Sequence, residues 1–207
     1  KGGNQMNNQN LIAPEHYNLI TEFEKYAVDD EKLAIIWESE DGQQKKSTYK
    51  NLIQRANKIA NLFTRKGLQK GDVVLIMVPR LIEAYEIYIG ALKAGLVVIP
   101  SSEMLRAKDI EYRLTHSEAK AIIAYEPFLD QFEDVRNLDE QLLLVIGNKK
   151  DNWISLTEEI QAESDEFQTI DTLRDDMAFL SYTSGTTGNP KGVVHTHGWA
   201  FAHLRTS

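Results

Sequence analysis

The residues best suited to chemistry lie in one glycine-rich stretch, SYTSGTTGNPKGVVHTH, which runs from Ser181 to His197. Glycine tolerates positive φ angles and lets backbone amides approach a ligand closely, and successive amides can form a concave anion-binding site. The hydroxyl side chains add donors suited to phosphate oxygens, and Lys191 adds a positive charge on a flexible stem. The composition of this stretch therefore predicts a site that holds a polyphosphate.

Two common phosphate-binding motifs do not fit this stretch. In a Walker-type loop glycine precedes the lysine and serine or threonine follows it, whereas here Pro190 precedes Lys191 and Gly192 follows it. The dinucleotide-binding pattern G-x-G-x-x-G also fails, because two threonines separate Gly185 from Gly188. A plain glycine-rich turn is the remaining alternative, but it would not require glycines, hydroxyls and a lysine that all suit one chemistry.

The elements that must position this loop alternate between strand and helix. Predicted strands cover 33–38, 72–78, 96–99, 121–125, 142–146 and 178–182, and the last of them enters the glycine-rich stretch. Helical spacing of apolar residues predicts helices from Thr48 to just before Gly67 and over 80–94, 106–117 and 155–163, after a helical lead-in over 6–32. Asp41-Gly42 predicts a hairpin.

The predicted strands are apolar along their whole length, as strands are when both faces of a sheet are covered. We therefore expect an α/β fold with a largely parallel sheet flanked by helices. In such a fold the loop after 178–182 lies outside the carboxyl end of its strand, where α/β sheets bind ligands.

Composition excludes several classes of protein. The 207 residues carry a net charge of −8, which argues against a nucleic-acid partner. The longest aliphatic run, 73–78, is far too short to span a membrane, and the absence of cysteine excludes disulfides and thiolate chemistry. No secretory signal is recognisable, so the cytoplasm is the expected compartment. Residues 1–5, KGGNQ, are interpreted as a tag remnant.

Three stretches resemble one enzyme family. YTSGTTGNPKGV, over 182–193, resembles the signature loop of adenylate-forming enzymes, which include acyl-CoA synthetases, luciferases and nonribosomal peptide adenylation domains. STYKNLIQRANKIANLF, over 47–63, and LKAGLVVIPSSEMLRAKDIEYRL, over 92–114, are similar to two upstream motifs of that family. The residues after Pro100 look most like the medium-chain acyl-CoA synthetase branch.

This resemblance implies a two-step reaction. A carboxylic acid, such as a fatty acid, is activated by ATP to an acyl-adenylate with release of pyrophosphate, and the acyl group then passes to coenzyme A. The implied cofactors are ATP, Mg²⁺ and coenzyme A. Lys191 is the implied catalytic residue, and no residue is assigned to a metal. The implied phosphate contacts are Thr183, Ser184, Gly185, Thr186, Thr187, Gly188 and Lys191.

Members of this family are much longer than 207 residues. Residues 6–207 are therefore expected to be the N-terminal part of an adenylation domain, truncated before its ribose-binding aspartate and its C-terminal domain. By itself such a piece is expected to be inactive, since it needs the rest of its own chain. Two alternatives stay open: an adenylation domain that loads the pantetheine of a carrier protein, and a non-catalytic phosphate-binding module.

Several other residues allow two interpretations. His195 and His197 would share one face of a strand, as a metal pair could, or they could pack near a carboxylate pocket. Trp199 and Phe201 could form an aromatic wall or part of the core. Tyr112 is expected to pack between helix and sheet. The acidic stretch 158–176 could be a domain linker or a solvated surface.

Overall fold

The computed structural model describes residues 12–26, 33–38, 41–183 and 188–206. Its helices are α1 Thr21–Tyr26, α2 Tyr49–Arg65, α3 Ile82–Lys93, α4 Ala107–Ser117, α5 Leu156–Glu159 and α6 His197–Thr206, and short 3₁₀ helices cover Glu126–Phe132 and Leu138–Glu140. Its strands are β1 Leu33–Glu38, β2 Gln44–Thr48, β3 Val73–Met77, β4 Val97–Pro100, β5 Ala121–Tyr125, β6 Leu142–Ile146, β7 Ile154–Ser155, β8 Met177–Thr183 and β9 Lys191–Thr196.

Seven of these strands form one sheet in the order β7-β6-β5-β3-β4-β8-β9. All neighbours in it are parallel except β8 and β9, which pair antiparallel. The predicted α/β architecture with a largely parallel sheet is therefore confirmed. Strands β1 and β2 form a separate antiparallel hairpin around Gly42, whose φ of 82° agrees with the predicted turn.

Strand β3 shows why its residues are apolar without interruption. Val74 and Ile76 belong to the core under α2 and α3, whereas Leu75 and Met77 belong to the core on the opposite face, under α4. Side chains alternate between the two faces of a strand, so a strand covered on both faces needs an apolar residue at every position.

The predicted ends of α2 are confirmed in detail. The Thr48 hydroxyl accepts a hydrogen bond of 3.0 Å from the amide of Asn51, which caps the first turn. At the other end Gly67 has a φ of 89°, a left-handed conformation that glycine adopts at little cost where a helix stops. A short turn over 68–72 then leads into β3.

Three predicted boundaries are wrong. Within the described part of the lead-in, helix covers only Thr21–Tyr26. The helix predicted over 155–163 is the single turn Leu156–Glu159, preceded by the short strand β7. The sheet also does not end at β8, because the chain turns back and pairs β9 against it. In the sequence, the β-branched residues of β9 lie within the glycine-rich stretch 181–197, which obscures the strand.

The acidic stretch 158–176 is packed onto the domain and is not a linker. The Asn57 side chain on α2 donates a hydrogen bond of 2.8 Å to the carbonyl oxygen of Asp165. The amide of Ile170 donates one of 2.8 Å to the carbonyl oxygen of Lys93 at the end of α3. These contacts direct the chain across α2 and α3 into β8.

His197, at the start of α6, connects the N-terminal segment to the stretch 158–176 through hydrogen bonds. Its side chain is fully buried. Its Nδ1 accepts a hydrogen bond of 3.1 Å from the amide of Leu19, and its own amide donates one to the carbonyl oxygen of Asp176. Burial lowers the pKa of His197 to about 4, so the ring is neutral at pH 7. In the described part of the chain no helix has the length and apolarity that a membrane span needs.

We predict that Gly90→Ala lowers the free energy of unfolding by about 1–2 kcal/mol. Alanine favours a helix over glycine by up to about 1 kcal/mol, but its Cβ would lie 2.8 Å from the carbonyl oxygen of Ala56 and 3.0 Å from Ile59 on α2. Overpacking of this kind costs about 1–3 kcal/mol. Urea unfolding measures the change, and a stabilised variant would contradict the close approach of α2 and α3.

We also predict that His197 makes stability depend on pH. Between pH 6.5 and about 4 the unfolded chain binds a proton that the folded chain excludes, because burial lowers the pKa of His197 in the folded state only. The free energy of unfolding should fall by about 2–3 kcal/mol across that window as pH falls. His197→Asn keeps an acceptor for the Leu19 amide and cannot titrate. The free energy of unfolding of His197→Asn should therefore not show this fall. If that free energy had the same pH slope in both proteins, His197 would not be its cause.

Candidate phosphate-binding site

The glycine-rich segment begins at the carboxyl edge of the parallel sheet. Strand β8 runs parallel to β4, with Val98 opposite Phe179. Thr183 at the end of β8 and Pro100 at the end of β4 therefore lie at the same edge of the sheet. Open α/β sheets bind their ligands outside this edge. The structure therefore places the described ends of the predicted loop, Thr183 and Lys191, at the edge where a ligand would be expected.

Three of the seven predicted phosphate contacts are described. Thr183 is the last residue of β8 and pairs with Lys191, the first residue of β9. Gly188 lies between them with a φ of 95°, and a Cβ built on it would meet no atom within 4 Å. The other four predicted contacts lie outside the described residues: Ser184, Gly185, Thr186 and Thr187.

The described ends of the loop suit an anion. Thr183, Gly188 and Lys191 are all exposed, and the structure shows no ion pair for Lys191 among the residues that it describes. A lysine without a carboxylate partner is available to pair with an incoming phosphate. The described residues contain no group of three or more His, Asp or Glu side chains that could hold a metal ion.

Helix α4 contacts both strands that carry the loop. The Tyr112 hydroxyl donates a hydrogen bond of 3.2 Å to the carbonyl oxygen of Pro190, directly before Lys191. The His116 Nδ1 and the Tyr182 hydroxyl form a hydrogen bond of 2.8 Å next to Thr183. The helix therefore contacts the residue before Thr183 and the residue before Lys191.

Ring contacts complete this cluster. The Tyr182 ring lies edge-on to the rings of Tyr112 and His116, at centroid distances of 6.0 and 5.5 Å. The Arg113 guanidinium carbon lies 5.1 Å from the centre of the Tyr182 ring, within the range of a cation–π interaction. Burial, and secondarily the neighbouring Tyr112, raise the pKa of Tyr182 above its ordinary value, so its hydroxyl stays protonated at neutral pH.

The part played by Tyr112 and His116 was missed in the sequence. Tyr112 was expected to pack between helix and sheet, and His116 was not singled out. Their spacing of four residues places both on one face of a helix, and their rings do stack, 5.4 Å apart. That spacing was the available signal, but nothing local indicates that this face meets residues some 70 positions further along the chain.

The two histidines after the loop do not share one face. His195 lies on β9, and its ring stacks on Trp199 at a centroid distance of 4.2 Å. His197 is the first residue of α6 and faces the N-terminal segment. Phe201 is buried against Tyr17 with an edge-to-face contact of 5.3 Å, so it belongs to the core, whereas Trp199 is 43% exposed.

Comparisons with known proteins agree with this fold. Residues 23–207 match the model of the family described as AMP-binding enzyme. The chain is 53% identical over 199 residues to YtcI of Bacillus subtilis (strain 168), described as an uncharacterized acyl-CoA ligase, covering 96% of this chain and 37% of that protein. It is 30% identical to the human mitochondrial acyl-coenzyme A synthetase ACSM1, covering 91% of this chain and 34% of that protein.

A solved structure has the same fold as this chain. The crystal structure of the anthranilate CoA ligase AuaEII in complex with anthranoyl-AMP superimposes with a TM-score of 0.82 at 26% identity, covering 90% of this chain and 36% of that one. The chain thus spans about a third of the length of the proteins that it matches. Because the family model covers nearly the whole sequence, including the described ends of the glycine-rich loop, this chain belongs to the AMP-binding enzyme family.

Proposed function

We propose that this chain is part of an AMP-forming acid–thiol ligase. The whole enzyme would activate a carboxylic acid, such as a fatty acid, with ATP and transfer the acyl group to coenzyme A. The glycine-rich loop between β8 and β9 would hold the phosphates of ATP. The similarity to proteins described as acyl-CoA ligases and synthetases supports the choice of coenzyme A as the acceptor.

The observation that carries this proposal is the pairing of Thr183 with Lys191 at the carboxyl edge of the sheet. This pairing brings an exposed hydroxyl and an exposed ammonium group to the two ends of one glycine-rich loop. The ammonium group has no carboxylate partner among the residues that the structure describes. Such an arrangement can surround a polyphosphate with donors and a positive charge.

The proposed first step needs positioning and charge neutralisation more than a protein nucleophile. An oxygen of the substrate carboxylate bonds to the α-phosphorus of ATP, and the bond from that phosphorus to the oxygen shared with the β-phosphate breaks. Pyrophosphate leaves with the electron pair. Lys191 would stabilise the negative charge that grows on it, while Thr183 and the loop amides would donate hydrogen bonds.

In the proposed second step the sulfur of coenzyme A bonds to the acyl carbon, AMP leaves and the thiol proton is released. The described residues of this chain are assigned no part in it. Mg²⁺ stays an expectation from the family, and no step is assigned to it here. The cytoplasm stays the predicted compartment.

We predict that the full-length enzyme exchanges pyrophosphate into ATP only when a suitable carboxylic acid is present. Exchange would be measured with labelled pyrophosphate and a panel of short, branched, aromatic and medium-chain acids. Because exchange requires a reversible acyl-adenylate, its absence with every acid would count against the ligase. The 207-residue chain alone should form no thioester.

The acceptor is tested separately. Free coenzyme A and pantetheine attached to a carrier protein would be compared with the same preformed acyl-adenylate. Thioester formation with coenzyme A supports the proposal. Transfer only to the carrier protein would favour an adenylation domain, and ATP binding without any transfer would favour a non-catalytic module.

We predict that Lys191→Ala slows formation of the acyl-adenylate about a hundredfold. Removal of one preorganised charge-assisted donor costs about 2.7–4 kcal/mol of transition-state stabilisation, and the remaining loop donors favour the lower end. Thioester formation from preformed acyl-adenylate should be nearly unchanged, because pyrophosphate has already left. Rapid-quench measurements of the two half-reactions separate these effects.

Lys149→Ala is a matched control. Lys149 is also an exposed lysine, and it pairs with Glu158 at the surface, away from the loop. Surface pairs of this kind contribute little, so both half-reactions should keep their rates. If Lys191→Ala slowed both half-reactions equally, Lys191 would be a structural residue and its phosphate role would be wrong.

A further inference from the structure

The side chains of α4 make directed hydrogen bonds near both ends of the loop, which packing alone would not require. Tyr112 donates one to the Pro190 carbonyl oxygen, and His116 and Tyr182 form the other. Tyr182 is adjacent to Thr183, and Pro190 is adjacent to Lys191. Each predicted phosphate contact at an end of the loop is therefore one peptide bond from an anchored residue.

The anchor itself is rigid. On the other side of α4, Ile110 and Leu114 are buried in the core against the sheet. The Asp109 carboxylate accepts a hydrogen bond of 3.0 Å from the amide of Arg106 and holds the first turn. A helix fixed in this way can transmit a defined position to the strands that it touches.

The contact to the outgoing strand is the more informative one. Strands β8 and β9 already pair through their backbones, so register alone needs no further restraint. Pro190 lies just before the first paired residue of β9 and has no amide hydrogen to contribute to the ladder. The Tyr112 hydroxyl instead binds its carbonyl oxygen, which restrains the backbone where Lys191 begins.

We propose that Tyr112 and His116 are positioning residues that hold Lys191 and Thr183 in place for formation of the acyl-adenylate. This role rests on the proposed function of the loop. Neither side chain is assigned a contact with substrate. Tyr112 acts through the Pro190 carbonyl on Lys191, and His116 acts through Tyr182 on Thr183.

The experiment uses the full-length enzyme and the double-mutant cycle of Tyr112→Phe with Lys191→Ala. Loss of one hydrogen bond of about 1 kcal/mol corresponds to about a fivefold lower rate of adenylate formation. Because Tyr112 acts through Lys191, the same change should have no further effect in the Lys191→Ala background. The KM for the carboxylic acid and the rate of thioester formation from preformed acyl-adenylate should not change.

His116 is tested by removal and rescue. His116→Ala should slow adenylate formation by a similar factor. His116→Asn should restore the rate, because the asparagine amide can occupy the place of Nδ1 and bind the Tyr182 hydroxyl. Tyr85→Phe, on an exposed tyrosine of α3, is the matched control and should leave every rate unchanged.

Hydrogen exchange provides a readout that does not depend on activity. In Tyr112→Phe, peptides that cover β9 should exchange faster, whereas peptides that cover β3 and β5 should not. The proposal is supported if Tyr112→Phe speeds exchange in β9 and does not change the rate of adenylate formation in the Lys191→Ala background. Unchanged exchange, or an equal loss of rate in both backgrounds, overturns it.

The outcomes separate this proposal from the one on which it rests. If the wild-type enzyme catalyses acid-dependent exchange of pyrophosphate and the α4 variants keep its full rate, only the positioning role is wrong. If the wild-type enzyme shows no exchange with any acid, the ligase function is wrong and the catalytic role of Tyr112 fails with it. Hydrogen exchange then still decides whether α4 orders β9.

Discussion

The parallel pairing of β8 with β4 is the contact on which the candidate site depends. It places the end of β8 at the same edge of the sheet as the ends of the other parallel strands. Val98 and Phe179 face each other in this pairing, and Ala178, one residue earlier in β8, is fully buried. If β8 ran in the opposite direction, the glycine-rich segment would leave the sheet at the wrong edge. The direction of one strand thus decides whether the loop can meet a ligand.

That direction is secured by the long crossing over α2 and α3. A parallel connection must return the chain to the amino edge of the sheet before the next strand begins. Residues 160–176 make this return as an irregular strap. The Asn57 side chain donates a hydrogen bond to its Asp165 carbonyl oxygen, and the Lys93 carbonyl oxygen accepts one from its Ile170 amide. The N-terminal segment packs against this strap. The Tyr17 amide donates a hydrogen bond to the Thr172 carbonyl oxygen, and the Leu19 amide donates one to His197. The acidic composition of the strap reflects its exposed outer face and not a boundary between domains.

The loop also depends on a helix that is distant in sequence. Tyr112 and His116 reach across to Pro190 and Tyr182, so the two ends of the loop are held from outside their own hairpin. The residues next to Thr183 and Lys191 are therefore held by α4 as well as by the pairing of β8 with β9.

Local patterns in the sequence determined most of the secondary structure and gave the hypothesis of phosphate binding by the loop. Uninterrupted apolar runs marked the buried strands, Thr48 and Gly67 marked the ends of α2, and the combination of glycines, hydroxyls and Lys191 indicated phosphate binding. Tertiary structure decided what depends on contacts between distant residues: the antiparallel return of β9, the burial of His197 with its lowered pKa, and the anchoring of the loop by α4. The physical reason is that capping and periodicity act within a few residues, whereas strand pairing, desolvation and side-chain contacts depend on which distant segments the whole chain brings together.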